Sequence, residues 1–346
     1  MRVLVTGNLG YIGTVLSQDL AARGYSVQGL DAGFFQDCLI GPAPADPPTV
    51  FKDVRDIEKV DVEGFDAVIH LAALSNDPLG ELSPELTEEI NRNATIRVAE
   101  LAKDAGVKRF IYASSQSMYG IAALDEELDE EDSEKNPLTA YAKTKWEAEQ
   151  QIRQMVDDEF CVVCFRPSTV FGFSPRQRCD IVFNNLVGAG VFDGVVRVKS
   201  DGSPWRPVIH VADVCTALMA GLTAPIDVIN GQAFNVGPLG GNYRVKELAE
   251  IAAQVSGATD VSYERTDSPD ERTYRVGFSK INQTLRPWFD TQYSLLDGGR
   301  TMVKAWQSLR MTKDQFQGRP TNRLQQLGSL ISSKRLDDSL RWRQVT

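Results

Sequence analysis

Short apolar runs and helix-period stretches alternate through the first half of the chain. The runs fall near residues 2–6, 26–31, 49–51, 66–70, 108–114 and 161–166, and helical patterns near 11–23, 85–105 and 140–156 lie between them. Strand-length apolar runs separated by helices predict an α/β fold with a doubly wound parallel sheet, because a parallel strand needs a long crossover to its neighbour. Gly24 follows the first helix as a C′ glycine would, and Pro137 stands just before the helix that begins near residue 140. From about Ser168 the rhythm breaks. A loop rich in arginine and proline precedes a helix near 180–190, and the polar turn 199–206 follows. A helix over 210–222, a buried strand over 233–237 and a helix over 243–256 complete a smaller α/β lobe whose chain returns once to the sheet. The expected division is 1–167 plus about 205–236 for the sheet domain and about 168–204 plus 237–310 for the second lobe. Residues 311–346 form a C-terminal extension, either an amphipathic helix over Leu324–Trp342 or a disordered tail.

Two motifs change this from a fold to a chemistry. The first strand runs into Gly7-x-x-Gly10-x-x-Gly13 and then a helix, the Rossmann-type arrangement in which backbone N–H groups and a helix N-terminus approach a dinucleotide pyrophosphate. Asp31 ends the next strand, where a carboxylate accepts from the adenosine ribose hydroxyls and repels a 2′-phosphate, favouring NAD over NADP. The alternative for Asp31 is a turn residue before Ala32-Gly33. Asp53-Val54 after the third strand is placed to reach the adenine amino group, with a helix N-cap as the alternative for Asp53. Tyr141 and Lys145 are four residues apart on one helical face, so the ammonium is expected to lower the phenol pKa. Ser115, at the end of an apolar strand, completes a set able to move the proton of a secondary alcohol while hydride leaves for a nicotinamide.

Composition is ordinary for a globular protein, 42% hydrophobic and 24% charged. The net charge of −10 disfavours nucleic acid and anionic membrane as partners. No apolar run is long enough to span a membrane, and the first strand begins at Arg2, so a cytoplasmic location is expected. The five cysteines are scattered, and strand alternation sends Cys161 and Cys164 to opposite faces, so free thiols rather than a metal site are expected. The acidic run 125–134 reads as a solvated loop.

The segments TGNLGYIG (6–13), VIHLAA (68–73), NRNAT (91–95), SSQSMYG (114–120), YAKTK (141–145), FRPSTVFG (165–172), DGSPWRPVIHVADV (201–214), FNVG (234–237) and ERTYRVGFSK (271–280) occur in one order from Arg2 to about Trp306. Together they resemble the NAD-dependent epimerase/dehydratase family of extended short-chain dehydrogenases/reductases, which act on nucleotide-sugars. The resemblance implies catalytic roles for Ser115, Tyr141 and Lys145. It implies cofactor contacts from Gly7, Gly10, Tyr11, Ile12, Gly13, Asp31, Asp53, Val54, Leu71, Ala72, Ala73, Asn91, Ser114, Tyr141, Lys145 and Ser168. For Asn91 the motif is altered, since Ala94 replaces its usual glycine. Substrate contacts are implied for Ser75, Ser115, Gln116, Thr169, Asn184, Arg206 and Arg272, with Arg265 and Arg275 as alternatives to Arg272. Thr169 stands where many relatives carry asparagine. His210 is expected to cap or pack.

The residues after Ser115 discriminate among the family's reactions. The resembling sugar 4,6-dehydratases carry Asp-Glu there and uronic acid decarboxylases keep the Glu, whereas this chain has Gln116-Ser117, neither of which titrates usefully. The expectation is therefore a nucleotide-sugar 4-epimerase that retains NAD, with an NAD(P)H-dependent 4-keto-sugar reductase as the alternative, a dehydratase behind it, and a non-catalytic dinucleotide-binding regulator as the non-enzyme reading. Cys179 and Asp77 are unassigned pocket candidates, and relatives imply a homodimer through the helices near 90–105 and 140–156.

Overall fold

The computed structural model describes residues 1–75, 77–122, 126–263 and 273–343. Its strands are β1 (Arg2–Thr6), β2 (Ser26–Asp31), β3 (Thr49–Phe51), β4 (Ala67–His70), β5 (Arg109–Ala113) and β6 (Cys161–Pro167), then β7 (Thr169–Phe171), β8 (Val195–Val198), β9 (Trp205–His210), β10 (Ala233–Val236), β11 (Asn242–Arg244) and β12 (Asp260–Tyr263). Seven of them form a parallel sheet in the order β10-β6-β5-β4-β1-β2-β3. The strand order reverses between β1 and β4, which opens a crevice at the carboxyl ends of those strands. The central strands are apolar on both faces because both are covered: Val3, Leu4 and Val5 of β1 are all fully buried. Helices Tyr11–Ala22 and Val211–Thr223 pack one face, and Ala94–Asp104 and Ala140–Arg153 the other. Cys161 lies in the first of these cores and Cys164 in the second, and all five cysteines are free and buried.

Three expectations are corrected. The helix expected over 85–105 is divided into Pro84–Thr87, a π-helical stretch Glu88–Asn93 and Ala94–Asp104. Asn91 sits in that wide turn with its amide clamped on Leu74, accepting from Leu74 N at 2.8 Å and donating to Leu74 O at 3.1 Å. Strand β9 does not join the large sheet. It pairs with β7 and β11 in a separate three-stranded sheet, and only β10 returns to the large one.

The C-terminal extension is neither one long helix nor a loose tail. Helices Lys313–Gln317 and Arg323–Ser332 are followed by a reversal at Lys334, which has a left-handed φ of 58°, and by a bridge between Leu336 and Trp342. The reason is burial: Leu327, Leu330, Leu336 and Leu340 are all within 2% of full burial, in the same core as Leu30 and Phe34. Trp342 Nε1 donates to Ala32 O at 2.6 Å, and Gln326 Nε2 to Phe34 O at 3.1 Å. The extension is thus fastened to the loop that follows β2. No helix among the described residues is long and apolar enough to cross a membrane.

Candidate active site

One cavity of about 770 Å³ occupies the crevice at the switch point. Gly7, Gly10, Tyr11, Ile12 and Gly13 form its floor, with Leu71, Ala72 and Ala73 from the end of β4 beside them. The glycines are required by close approach. A Cβ on Gly13 would lie 2.2 Å from Gly7 O, and Gly7 has φ +74° with Ala72 N 2.8 Å from where a Cβ would stand. Helix Tyr11–Ala22 starts at Gly10 with no side-chain cap, so its first turn meets the cavity through backbone alone. That cradle, lined by backbone and small side chains, fits a dinucleotide diphosphate. At its far end Asp31 accepts from Leu9 N at 3.0 Å on one oxygen and from Gly33 N at 2.8 Å on the other. Burial raises its carboxyl, and these two bonds oppose the rise. Each oxygen keeps a further lone pair for a ribose hydroxyl. Asp53 also lines the wall beside Val54, yet its carboxylate is occupied: it caps the turn Val54–Asp56, pairs with Arg55 at 2.7 Å and lies 3.3 Å from Arg341 of the extension. The N-cap alternative is the arrangement seen.

Deeper in the cavity Tyr141, Lys145, Ser114 and Ser115 converge. Pairing of β5 with β6 and packing of helix Ala140–Arg153 set their positions. Ser115 lies near enough to the Tyr141 hydroxyl to favour its phenolate, and its Oγ is 2.8 Å from Ser117 Oγ. Burial pushes the Tyr141 phenol up to about 12, the Ser115 bond and the Arg178 charge pull it down, and Asp77 pushes it further up. Lys145 was expected to supply the lowering field. Instead its ammonium donates to Ala113 O at 2.7 Å, lies 4.6 Å from the Tyr112 ring centroid, and is itself lowered to about 7 by burial. Burial without a carboxylate in contact weakens the hold of Lys145 on its proton, and so the charge that expectation relied on.

The strand ends bearing these groups are held by a buried ion pair. Arg166 Nη2 donates to Glu149 Oε1 at 2.6 Å with both side chains fully buried, and Ser114 Oγ donates to Glu149 Oε2 at 2.6 Å. Gln116 lines the cavity, but its amide is committed: Nε2 donates to Arg166 O at 2.9 Å, and Oε1 is 3.3 Å from Ser168 Oγ.

The second lobe contributes Thr169, Arg206, Arg197, Lys199 and Tyr274 to the opposite wall, with Ser75 between the halves. Asn184 does not reach the cavity. Fully buried, it donates to Tyr11 Oη at 3.2 Å and Arg178 O at 2.8 Å and accepts from Gly172 N, holding the loop after β7 against the first helix. Asn185 faces the cavity instead, its amide donating to Cys179 O at 3.0 Å. Asn91 likewise lies outside the lining, its amide spent on Leu74. Arg272 and Arg265 lie outside the described residues, and Arg275 pairs with Glu127 at 2.9 Å away from the cavity. Of the two unassigned candidates, Asp77 lines the wall and accepts from Thr139 Oγ1, whereas Cys179 is buried in the second lobe's core. His210 caps helix Val211–Thr223 and stacks on Tyr293 at 3.9 Å, and burial lowers it to about 4.

Sequence reasoning missed Arg178, Asp180, Asn322 and Arg323 in the lining. Arg178 pairs with Asp180 at 2.8 Å and donates to Ser75 Oγ at 3.1 Å. The run Arg176-Gln177-Arg178-Cys179-Asp180 was visible as charged, but only the fold shows it turned inward.

The model of the NAD dependent epimerase/dehydratase family matches residues 3–237. The chain is 32% identical over 281 residues to the UDP-glucose 4-epimerase of Mycolicibacterium smegmatis, covering 75% of this chain and 84% of that one. It is 25% identical to the dTDP-D-glucose 4,6-dehydratase of Mus musculus over 92% of this chain and 94% of the other. Among solved structures, MoeE5 in complex with UDP-glucose and NAD superposes with a TM-score of 0.75 at 28% identity, over 89% of this chain and all of that one. The glycine cradle, the serine–tyrosine contact and these likenesses together place the protein: it is an enzyme of the NAD-dependent epimerase/dehydratase family.

Proposed function

We propose that the enzyme is a nucleotide-sugar 4-epimerase that retains NAD through the reaction. The observation carrying this reading is the pair Tyr141–Ser115 flanked by two side chains that cannot serve as acid or base. Ser117 does not titrate, and Gln116 is an amide already committed to Arg166 O and Ser168. Water loss and decarboxylation both need more proton transfers than one tyrosine supplies. Reversible oxidation at one carbon does not.

The bound cofactor supplies the hydride acceptor and a positive pyridinium. The protein's share is positional. Ser115 accepts and passes the proton of the sugar hydroxyl, and Tyr141 receives it as base; once the keto-sugar has turned its other face toward the hydride donor, Tyr141 returns the proton to the same oxygen as acid. A phenol pushed up to about 12 stays protonated until a cation arrives beside it, so the base forms only in the loaded site. Lys145, anchored on Ala113 O, fixes the floor on which the nicotinamide ribose rests. Arg206, with Lys199 beside it in the lining, supplies cations for the sugar nucleotide's diphosphate. The likeness to a UDP-glucose 4-epimerase supports this reading.

The test is product analysis by NMR after incubation with UDP-, dTDP-, GDP- and CDP-sugars, with and without NADH. An epimer formed with no net change in cofactor supports the proposal. Stoichiometric loss of NADH would assign a 4-keto-sugar reductase, and full turnover by Tyr141→Phe would remove the tyrosine from the reaction.

A further inference from the structure

Three buried arginines meet where the C-terminal extension touches the cavity, and two of them have anionic partners. Arg176 forms a two-pronged pair with Asp46, 2.8 Å on each arm, and also reaches Thr14 Oγ1 in the first helix at 3.0 Å. Arg178 pairs with Asp180. Arg323 is 2% exposed and has no carboxylate within ion-pair distance among the described residues. Its Nη2 donates to Arg176 O at 2.8 Å, its Nη1 is 3.5 Å from Pro320 O, and its guanidinium lies 4.9 Å from the Phe35 ring centroid. Its Nε makes no hydrogen bond with the described residues, and the side chain lines the cavity next to Asn322.

A charge almost wholly removed from water is ordinarily paired. Carbonyl contacts orient this guanidinium, and Asp180, which accepts from Arg323 N at 3.3 Å, is already paired with Arg178, so the cavity is the side from which a further anion can meet it. Position tells which ligand it is. Arg323 stands on Phe35, in the loop after Asp31, and bonds the backbone of the arginine that touches the first helix. That is the side of the glycine cradle and of Asp31, whose carboxyl feels the Arg323 charge. We propose that Arg323 is a cofactor-binding residue whose counter-ion is the diphosphate of the dinucleotide, and that residues 319–343 form a wall of the cofactor site. This rests on the NAD site proposed above.

The test is binding, measured by calorimetry on the full chain stripped of nucleotide. Arg323→Met removes the charge; Arg323→Gln keeps a donor for Arg176 O and guards against misfolding, which apo thermal melts report. Both variants are expected to bind NAD and ADP roughly 10- to 100-fold more weakly, the range for losing a charge-assisted hydrogen bond, and adenosine as well as wild type does. Wild-type affinity for NAD should also fall more steeply with salt than that of Arg323→Gln. Unchanged NAD affinity in both variants would overturn the proposal, as would an equal loss for adenosine. Weaker UDP binding to NAD-saturated variants, with NAD affinity intact, would also overturn it by moving the counter-ion to the substrate. Wild type that binds no NAD would instead defeat the cofactor reading itself.

Discussion

Replacing Glu149 by leucine is the most exacting probe of how the site is held. The carboxylate is fully buried and accepts from Arg166 Nε at 3.2 Å on each oxygen, from Arg166 Nη2 at 2.6 Å and from Ser114 Oγ at 2.6 Å. Leucine fills the space but strands a fully buried guanidinium, and breaking a buried pair in this way costs about 3–5 kcal/mol. Arg166→Met leaves the buried carboxylate with Ser114 and with Arg153 at 3.9 Å, and should cost somewhat less. The double replacement removes both charges, and its cost should be far below the sum, on the order of 1–2 kcal/mol for the lost contacts of Arg166 Nη1 with Tyr119 Oη and Glu130 O. Urea unfolding of the apo protein at neutral pH, followed by circular dichroism, measures all three. Single variants that each cost under about 1 kcal/mol, or costs that simply add, would refute the account of this pair. Because Glu149 holds Ser114, the residue before Ser115, and Arg166 holds Glu149, the single variants should also lose turnover at temperatures where they remain folded.

Gly13→Ala should abolish measurable NAD binding, since its Cβ would meet backbone at 2.2 and 2.7 Å, with a flexible side chain nowhere in the way to yield; wild-type affinity by calorimetry would contradict the cradle. Lys145 is lowered from 10.5 to about 7, so the unfolded chain binds its proton first. Its contribution is full above about pH 10.5, declines as pH falls toward 7 and changes no further below that. Apo stability should therefore rise between pH 7.5 and 9.5 by on the order of a few kcal/mol, and Lys145→Met should flatten the slope; an unchanged slope would refute the assignment. Asp77 raises Tyr141, so with Tyr141 as base Asp77→Asn should move the acidic limb of the pH–activity profile to lower pH while preserving turnover, and complete inactivation would instead mark Asp77 as an acid or base of the reaction.

The sheet was legible because strands buried on both faces leave apolar runs, and the crevice because glycine spacing follows from backbone contact. Ser115, Tyr141 and Gly7 to Gly13 lie within a few residues of elements with strong local signatures, and they come together in the cavity. Asn184 and Arg323 were illegible for a common reason. Which neighbour on a helix turns inward depends on packing between distant segments, so Asn184 faces Tyr11 while Asn185 faces the cavity. Arg323 reaches the site from the far end of the chain, and the neighbouring bond of Gln326 to Phe34 spans 292 residues. The burial of Tyr141 and Lys145 was equally illegible, because a helical spacing gives the distance between two side chains but not how deeply each is packed.

The return of the chain to the large sheet through β10, after β7 and β9 have been laid down elsewhere, has a consequence for making hybrids. A single crossover between two relatives placed anywhere from 168 to 232 would join one parent's helix Ala140–Arg153 to the other parent's edge strand, splitting the β6–β10 seam that runs from Cys164 to Val236. Exchange of sugar preference between relatives therefore calls for two-point grafts that carry both ends of that seam from the same parent.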